Sequence, residues 1–414
     1  MNQKPPSIII LYHFFYPDDV VSARHFSQFA EELRKRNWDV TVLTSNRFCR
    51  YPKRKIDKKF EVWQGIKIFR IYRPGWNQAN RYLRLANSLW MIIGWFFKLL
   101  SIPRADVIVI GSDPPFSAIL FPPLHFFRRA KVFAHWCFDL FPEATIVERE
   151  SKVSKWLGER VKFFMRFAYR YLDLIVDLGS CMRKRLSFYR YNAQSITLVP
   201  WALVEADQIQ GIDVNARREL FSDAKLALLY SGNMGKAHSF SLFIKLARIL
   251  RDKKPKIVIN FACRGNKVDE LKKAVNPSDK NIRFADFADE SHLKERLSSA
   301  DIHLLSMMPG WEGVVVPSKF FGSLAVGRPV LYAGPEGSAI VDWIRKFKVG
   351  LVLTDNNINE IADELLNIAN NPDILDVWKK NAFESYQENF SKSYVMDQWD
   401  KVLKEILMSK ISSV

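Results

Sequence analysis

The sequence predicts an α/β protein with two doubly wound parallel-sheet domains. The chain has 414 residues, which is long for one domain and suits two of about 200 residues each. Short apolar runs alternate with amphipathic segments, a pattern typical of a parallel sheet covered by helices on both faces. This pattern restarts near the middle of the chain, which indicates a second domain of the same class.

The first half begins with a predicted strand, "SIIILYHF", and a predicted helix. The helix is indicated by Phe26, Phe29, Ala30 and Leu33, whose spacing of i, i+3, i+4 and i+7 buries one face. The next strand is predicted in "DVTVLTSN". Two further strands, in "ADVIVIGS" and "LDLIVDLGS", share an Asp before an apolar run.

The second half repeats the same alternation after a junction near Val199–Ile209. Strands are predicted in "LALLYSGN", "KIVINFAC" and "ADIHLLSM", each followed by a helical pattern. The last segment reads as a helix with no strand after it. We therefore predict a first domain over residues 1–199, a second over 200–390, and a C-terminal helix in 391–414 that packs back on the first domain.

The composition indicates a folded protein. Apolar residues make up 48% of the chain and aromatic residues 14%, which excludes an intrinsically disordered protein. The first 30 residues lack the cationic, apolar and small-residue order of a signal peptide. The four cysteines form no C-x-x-C pair, which favours reduced thiols in a cytoplasm over disulfides or a zinc site. They are Cys49, Cys137, Cys181 and Cys263.

The net charge of +18 is uneven, with +17 in residues 1–200 and +1 in residues 201–414. A basic half joined to a neutral half suggests that the first half faces an anionic partner. Nucleic acid, phospholipid headgroups and a pyrophosphate-bearing acceptor all fit this description. A nucleic-acid-binding protein is the competing class, but the sequence contains no nucleic-acid recognition motif.

Ligands of open α/β sheets bind beyond the carboxyl ends of the strands, so the loops there are the candidate sites. "YSGNMGKAHS" has a strand running into Gly232, Asn233, Gly235 and Lys236. Glycines let backbone N–H groups approach a phosphate, and the lysine adds a charge. The spacing fits neither a Walker loop nor a dinucleotide fingerprint. A glycine turn beside a solvated lysine is the alternative interpretation.

A second loop follows the strand in "NFACRGNK". Arg264 stands at its start, and an arginine there could fork onto a phosphate or stack on a base. A surface arginine without a ligand is at least as good an explanation of this residue alone.

The most informative loop is in "EGVVVPSKFFGSLAVGRPVLYAG". Pro317 is tolerated in a first helical turn, Ser318 and Lys319 stand beside the unpaired amides, and Gly327 suits the end of the helix. A hydroxyl, a cation and a positive helix end together predict an anion site. Glu312 could accept hydrogen bonds from sugar hydroxyls.

These stretches, with "FDLFPEA" and "ADVIVIGSDPP" in the first half, resemble bacterial family 4 glycosyltransferases. The similarity runs in order over nearly all of the chain, and it is strongest to the branch that builds O-antigen, capsule and colanic-acid-like exopolysaccharide. The resemblance implies the GT-B fold, in which two Rossmann-like domains face a central cleft. It also implies a nucleotide-sugar donor in the second domain and an acceptor in the first.

The resemblance implies roles for residues of the second domain. Gly232, Asn233 and Lys236 match the pyrophosphate loop, although many members have arginine at the position of Asn233. Glu312 matches the first glutamate of the paired-glutamate motif, which holds the donor sugar. The second glutamate, which binds ribose, falls at Gly322, so ribose recognition must come from elsewhere.

The first domain departs further from the family pattern. The active-site His or Gln should immediately precede Asp139, but Phe138 stands there, and His135 lies three residues earlier. Asp139 is the matched position and His135 a neighbour of open role. The acceptor loop of the family is rich in glycine, and "YPDDVVSAR" lacks those glycines. A non-catalytic glycosyltransferase-like partner protein is therefore a second alternative.

The family resemblance also implies transfer with retention and without a catalytic metal or other cofactor. No D-x-D occurs in the sequence, which suits cationic side chains in place of a metal. Lys236 and Lys319 would then offset the charge of the departing diphosphate. UDP-sugars are the donors that the resemblance favours, and a polyprenyl-diphosphate-linked saccharide is the acceptor that it favours.

An uncharged apolar run, Leu85–Phe97, suggests a membrane surface. Its thirteen residues fall short of the roughly 20 needed to span a bilayer, while Trp90, Trp95 and the flanking cations suit an interfacial helix. We therefore expect the first domain to rest on the anionic inner face of the cytoplasmic membrane. The alternative is a core helix beside a solvated basic face.

Overall fold

The computed structural model describes residues 4–77, 80–148, 152–287 and 290–412. The chain divides into two compact units, an N-terminal unit of Met1–Val199 with Val395–Val414 and a C-terminal unit of Pro200–Tyr394. Each contains a mostly parallel sheet with helices. The predicted α/β class with two parallel-sheet domains is confirmed.

The sheet of the N-terminal unit has eight strands in the order β3-β4-β2-β1-β5-β6-β7-β8. All neighbours are parallel except β3 and β4, which pair antiparallel at one edge. This edge hairpin was not predicted, because charged residues interrupt both short strands, in which no position of β3 and every second position of β4 is buried. The strands are β1 Ser7–Leu11, β2 Asp39–Ser45, β3 Phe60–Trp63, β4 Ile66–Ile71, β5 Val107–Gly111, β6 Val132–Trp136, β7 Leu174–Asp177 and β8 Gln194–Thr197.

The helices of this unit bury one face against the sheet or against each other. They are α1 Val21–Lys35, α2 Arg81–Ser101, α3 Phe121–Phe126, α4 Glu143–Glu148, α5 Lys152–Tyr169 and α6 Ser180–Leu186. In α1 the predicted apolar positions Phe26, Phe29, Ala30 and Leu33 are all fully buried. Their burial confirms the helical periodicity.

Helix α2 is longer than the apolar run that suggested it. It has 21 residues, because flanking residues on both sides, including Arg84 and Lys98, continue the helix. Within the described residues, Tyr82–Ser101 is long and apolar enough to cross a membrane by length and composition alone. The expectation that this segment is too short was therefore wrong. However, Met91, Trp95 and Leu99 are fully buried, so one face is packed into the unit.

The C-terminal unit has a six-stranded, fully parallel sheet in the order β11-β10-β9-β12-β13-β14. Its strands are β9 Leu226–Asn233, β10 Ile257–Arg264, β11 Ile282–Ala285, β12 Ile302–Ser306, β13 Val330–Ala333 and β14 Gly350–Leu353. Its helices are α7 Val214–Phe221, α8 Ser241–Leu250, α9 Val268–Ala274, α10 Leu293–Ser298, α11 Lys319–Ala325, α12 Ala339–Phe347, α13 Ile358–Asn370 and α14 Asp373–Asn389.

The last helix, α15 Lys392–Ser412, belongs from Val395 onward to the N-terminal unit. Trp399 packs against Phe29 and Trp136 with ring centres 4.9 and 5.2 Å apart. The Trp38 indole N–H donates to Asp400 over 2.7 Å. These contacts complete an aromatic core that the first 199 residues leave open. Residues 413 and 414 of the predicted C-terminal segment lie outside the described residues.

Both sheets reverse their strand order once. The reversal lies between β1 and β5 in the N-terminal unit and between β9 and β12 in the C-terminal unit. At such a point the loops on the two sides diverge and leave a crevice at the carboxyl ends of the strands, where ligands of open α/β sheets bind. The candidate site residues follow from these two positions.

Candidate functional site

The loops after β9 and β10 lie against each other in the C-terminal unit. The Met234 amide donates to the Arg264 carbonyl over 2.7 Å. Gly232 and Gly265 have positive φ angles of 127° and 126°. A Cβ at Gly265 would lie 2.5 Å from the Met234 carbonyl oxygen, and one at Gly232 would lie 2.7 Å from Lys319 Cε. Both positions therefore favour glycine for backbone conformation, and Gly265 also for its close approach to the Met234 backbone.

Lys319 joins this pair of loops from the start of α11. Its amine donates to the Asn233 carbonyl over 2.8 Å and lies 5.2 Å from the centre of the Tyr230 ring. Burial lowers the pKa of Lys319 to about 8, so the amine is mostly charged at neutral pH. A cation with reduced hydration at the carboxyl end of β9 is suited to hold an anion.

Helix α11 begins at Lys319, with Ser318 at its N-cap position. Pro317 thus lies just before the first turn and not inside it as predicted. Gly327 has φ of 69° and ends the helix as predicted. Because α11 has only seven residues, the charge at this point comes mainly from the Lys319 amine.

A buried hydrogen-bond chain fixes α11 against the sheet. His303 of β12 lies 2.7 Å from the Ser323 hydroxyl through Nδ1 and 2.9 Å from the Leu297 carbonyl through Nε2. Burial lowers the pKa of His303 to about 3, so the ring is neutral. Since a carbonyl can only accept, Nε2 carries the hydrogen and Nδ1 is an acceptor. The single hydrogen of the Ser323 hydroxyl is shared between His303 Nδ1 and the Lys319 carbonyl, which lies 2.8 Å away. The chain sets the position of the helix that begins with Lys319.

His238, which sequence reasoning missed, lies in the same loop system. Its Nδ1 is 2.9 Å from the Ser306 carbonyl, so Nδ1 carries the hydrogen. Burial, followed by the charge of Lys319, lowers its pKa to about 4. The neutral ring can therefore accept a hydrogen bond at Nε2 from a hydroxyl. The only signal in the sequence was its place in the glycine loop "GNMGKAHS".

The other candidate residues of this unit surround the cluster. Lys236 lies on the exposed part of the loop after β9. Arg264 ends β10, and its guanidinium lies over the Phe287 ring, 3.7 Å from the ring centre. Glu312 is partly buried in the loop after β12 and forms an isolated bridge with Val315. The structure thus brings Gly232, Asn233, Arg264 and Lys319 together, with Lys236 and Glu312 on adjoining loops.

In the N-terminal unit, Asp139 lies beyond the carboxyl end of β6. The amides of Phe138 and Asp139 both donate to the Ser112 hydroxyl over 3.1 Å. Asp139 as a whole residue has an exposed surface, but its carboxyl group is surrounded by protein atoms. This burial of the carboxyl, and to a smaller extent the charge of Asp113, raises the pKa of Asp139 to about 6. A carboxyl with such a pKa can exchange a proton near neutral pH.

His13 and Asp113 form a pair at the strand-order reversal of this unit, beside β1 and β5. Their side chains are 3.1 Å apart between Nδ1 and Oδ1. The buried Arg73 guanidinium lies 3.4 Å from His13 Nε2, and because an arginine N–H only donates, the Nδ1 hydrogen points to Asp113. Sequence reasoning singled out neither residue, although both follow strands in "YHFF" and "GSDPP".

His135 does not join this group. It is 96% buried within β6, and its Nδ1 lies 2.8 Å from the Ile110 carbonyl. Burial lowers its pKa to about 4. These are the contacts of a neutral core histidine, so the structure does not support the catalytic role suggested for it.

Within the described ranges, no group of three or more His, Cys, Asp or Glu side chains is placed to hold a metal ion. The positive groups of the C-terminal unit are side chains of lysine and arginine. The chemistry open to these residues is the binding of an anion and of hydroxyl groups.

Two family models match the chain. Residues 22–202 match a glycosyl transferase 4-like domain, and residues 225–371 match the glycosyl transferases group 1. The first match falls almost wholly in the N-terminal unit and the second in the C-terminal unit. Together they cover most of the chain.

Two curated relatives agree with these matches. WcaI of Escherichia coli K12, a putative colanic acid biosynthesis glycosyl transferase, is 28% identical over 337 residues, which cover 77% of this chain and 81% of the relative. WbjE of Pseudomonas aeruginosa, a probable glycosyltransferase, is 23% identical over 291 residues, which cover 66% and 69%.

Solved structures share the fold at low sequence identity. A sucrose-phosphate synthase from Thermosynechococcus elongatus matches with a TM-score of 0.74 and 14% identity over 98% of this chain and all of that chain. WaaG, a glycosyltransferase involved in lipopolysaccharide biosynthesis, matches with a TM-score of 0.64 and 14% identity over 96% of this chain and 99% of that chain. Anabaena HepE, solved with UDP, matches with a TM-score of 0.64 and 11% identity over 96% of this chain and all of that chain.

The family models cover both units, and the two parallel-sheet domains correspond to the fold of the solved enzymes. We conclude that the chain belongs to the glycosyltransferases and has the GT-B fold.

Proposed function

We propose that this glycosyltransferase moves a sugar from a nucleotide-sugar donor, with a UDP-sugar favoured, to a lipid-linked saccharide during assembly of a surface polysaccharide. The observation that carries the donor part is the Lys319 amine beside Gly232 and Asn233 at the strand-order reversal of the C-terminal unit. Anabaena HepE, which shares the fold and was solved in complex with UDP, adds support.

In the proposed reaction, the bond between the sugar and the donor diphosphate breaks, and the diphosphate keeps the electron pair. The acceptor hydroxyl forms the new bond and gives its proton to the departing diphosphate. Lys319, with Lys236 and Arg264 nearby, offsets the growing negative charge, and no metal takes part. Glu312 and the Nε2 atom of His238 are suited to hold hydroxyls of the donor. The sugar is transferred with retention of its configuration.

For the acceptor we propose the cluster at the strand-order reversal of the N-terminal unit. Asp139 and Asp113 offer hydrogen-bond acceptors to a sugar hydroxyl. The buried His13 ring, held by Arg73, donates to Asp113 and keeps its carboxylate oriented. Asp139, with its raised pKa of about 6, would contact the hydroxyl while the donor diphosphate takes the proton.

We also propose that the N-terminal unit works on an anionic membrane surface, at the inner face of the cytoplasmic membrane. The charge of +17 in residues 1–200 and the exposed apolar side chains of α2 and α5 support this proposal. Relatives with roles in colanic acid and lipopolysaccharide biosynthesis make a lipid-linked acceptor reasonable.

Product analysis tests the proposal. The purified protein is incubated with a panel of UDP- and GDP-sugars and polyprenyl-diphosphate-linked saccharides, with and without EDTA. We expect one donor to yield a lipid-linked product one sugar longer, at the same rate in EDTA. Release of free nucleoside diphosphate without an extended lipid product, or sugar transfer only to soluble sugars, would contradict the proposed acceptor.

A further inference from the structure

An open apolar groove runs along the surface of the N-terminal unit. It has a volume of about 710 Å³, within the roughly 300–1,000 Å³ of small-molecule sites. Helices α2 and α5 form its two sides, and the segment around α3 forms its floor. Its outer lining is apolar, with Leu85, Leu89, Ile119, Leu157, Phe164 and Phe167.

The groove is not a packing defect, because its rim is exposed and apolar. Phe164 is 74% exposed and Leu157 is 52% exposed. On α2, Leu85 and Leu89 are exposed while Met91 and Trp95 on the other side are fully buried. A helix that is buried by one apolar face and displays a second is typical of a binding surface.

The two helices that form the sides of the groove are mostly positive, although α4, which adds Thr145 to the lining, contains two acids and no cation. Helix α2 contains three cations and no acid, and α5 contains five cations and one acid. Arg84 lines the groove directly, and among the described residues no carboxylate forms an ion pair with it. Apolar walls with a cation at the edge complement a hydrocarbon chain that carries an anionic head.

We propose that this groove binds the hydrocarbon chain of an isoprenyl phosphate, with Arg84 beside the phosphate. That the lipid is an isoprenoid rests on the proposed function, whereas the chain and the anionic head follow from the groove. A single chain lies between α2 and α5, out of water, and its charged end stays at the rim. The site is distinct from the general attraction of a basic surface to a membrane.

Matched variants separate the groove from the surrounding surface. Phe164 lines the groove and Phe163, its exposed neighbour, does not; on α2, Leu89 lines the groove and Ile93, one turn away, does not. The variants are Phe164→Ser and Leu89→Ser, with Phe163→Ser and Ile93→Ser as controls. All four positions are exposed, so a thermal melt should give wild-type midpoints.

The probe is dansyl-labelled geranylgeranyl phosphate, titrated below its critical micelle concentration. We expect each groove variant to raise the Kd about tenfold or more, equal to about 1.4 kcal/mol, and each control to keep it close to wild type. Arg84→Gln should weaken binding of the labelled geranylgeranyl phosphate but not binding of labelled geranylgeraniol, which lacks the phosphate. No binding by the wild-type protein, or equal weakening in both members of a pair, would overturn the proposal.

A labelled oleoyl lysophosphatidate titration tests the choice of chain. Tighter binding of this acyl lipid than of the isoprenyl phosphate would contradict the isoprenoid assignment. These measurements need no sugar transfer. If the groove binds the probe but product analysis finds no extended lipid, the proposed function is rejected and the lipid site in the groove is kept. If an extended lipid forms but the groove does not bind the probe, only the lipid site is rejected.

Discussion

At the scale of single residues, Lys319 is the side chain on which the donor site depends. Its amine contacts the Asn233 carbonyl and is partly withdrawn from water, which strengthens its interaction with an anion. We expect Lys319→Ala to lower kcat/KM by about 10²–10³-fold, as removal of one charge-stabilising donor does. The thermal midpoint should stay near wild type. Turnover close to wild type would reject the phosphate role.

The pKa of Lys319 predicts a pH dependence of nucleotide binding. Because burial lowers this pKa to about 8, the amine is charged below that pH and neutral above it. A bound diphosphate favours the charged form, so UDP affinity should fall as pH rises through about 8, with proton uptake. Calorimetry in two buffers of different ionisation enthalpy measures the uptake. Lys319→Ala should remove it.

His13 is predicted to act on the acceptor and not on the donor. His13→Gln keeps an amide that can reach Asp113 but loses the ring that orients this carboxylate. We expect turnover to fall about 10²-fold, as misplacement of a positioning group does. Binding of UDP should be unchanged, because His13 and Asp113 belong to the N-terminal unit. Isothermal calorimetry and initial rates give the two quantities. A loss of UDP affinity would point to misfolding of the variant.

Part of the site could be predicted from the sequence, for a physical reason. Packing and capping explain the proline and glycines of these loops but not the cation at Lys319, and the structure brings Lys319 together with Gly232 and Asn233. His13 and His135 were not separable in the sequence, since each lies in or beside an apolar strand. Only the side-chain contacts distinguish the core histidine from the one paired with a carboxylate.

At the scale of elements, the His303–Ser323 hydrogen bond decides where α11 lies. Ser323→Ala leaves buried His303 Nδ1 without its donor, which costs about 1–3 kcal/mol. It should also weaken UDP binding, because Lys319 begins the same helix. Ser338→Ala is a matched control: it removes an equally buried hydroxyl that caps α12, at about 0.5–2 kcal/mol, and should leave UDP binding unchanged. Urea unfolding and UDP titration test both.

Elements were easier to predict than their ends. Buried parallel strands such as β5 and β9 are continuous apolar runs, so their positions were evident in the sequence. The hairpin of β3 and β4 was missed because the charged residues Glu61, Lys67 and Arg70 interrupt the apolar pattern. Helix α2 was predicted too short because Arg84 and Lys98 bound the apolar run, although long cationic side chains can remain inside an apolar helix.

At the scale of the whole molecule, the charge of +17 in residues 1–200 predicts salt-dependent binding to membranes. The protein should float with vesicles that contain anionic phospholipid at about 0.1 M salt, where the Debye length is about 10 Å, and much less at about 1 M, where it is about 3 Å. Neutral vesicles are the control. Equal flotation on neutral and anionic vesicles would contradict the electrostatic part of the proposal.

The placement of α15 bears on how the protein is made. Trp399 completes the aromatic core around Phe29 and Trp136. The N-terminal unit, although it leaves the ribosome first, therefore cannot finish folding until α15 has been synthesised. The C-terminal unit, contiguous in sequence, can finish folding earlier, which reverses the usual order of synthesis-coupled folding. A chain that stops at residue 394 would lose the first unit and keep the second.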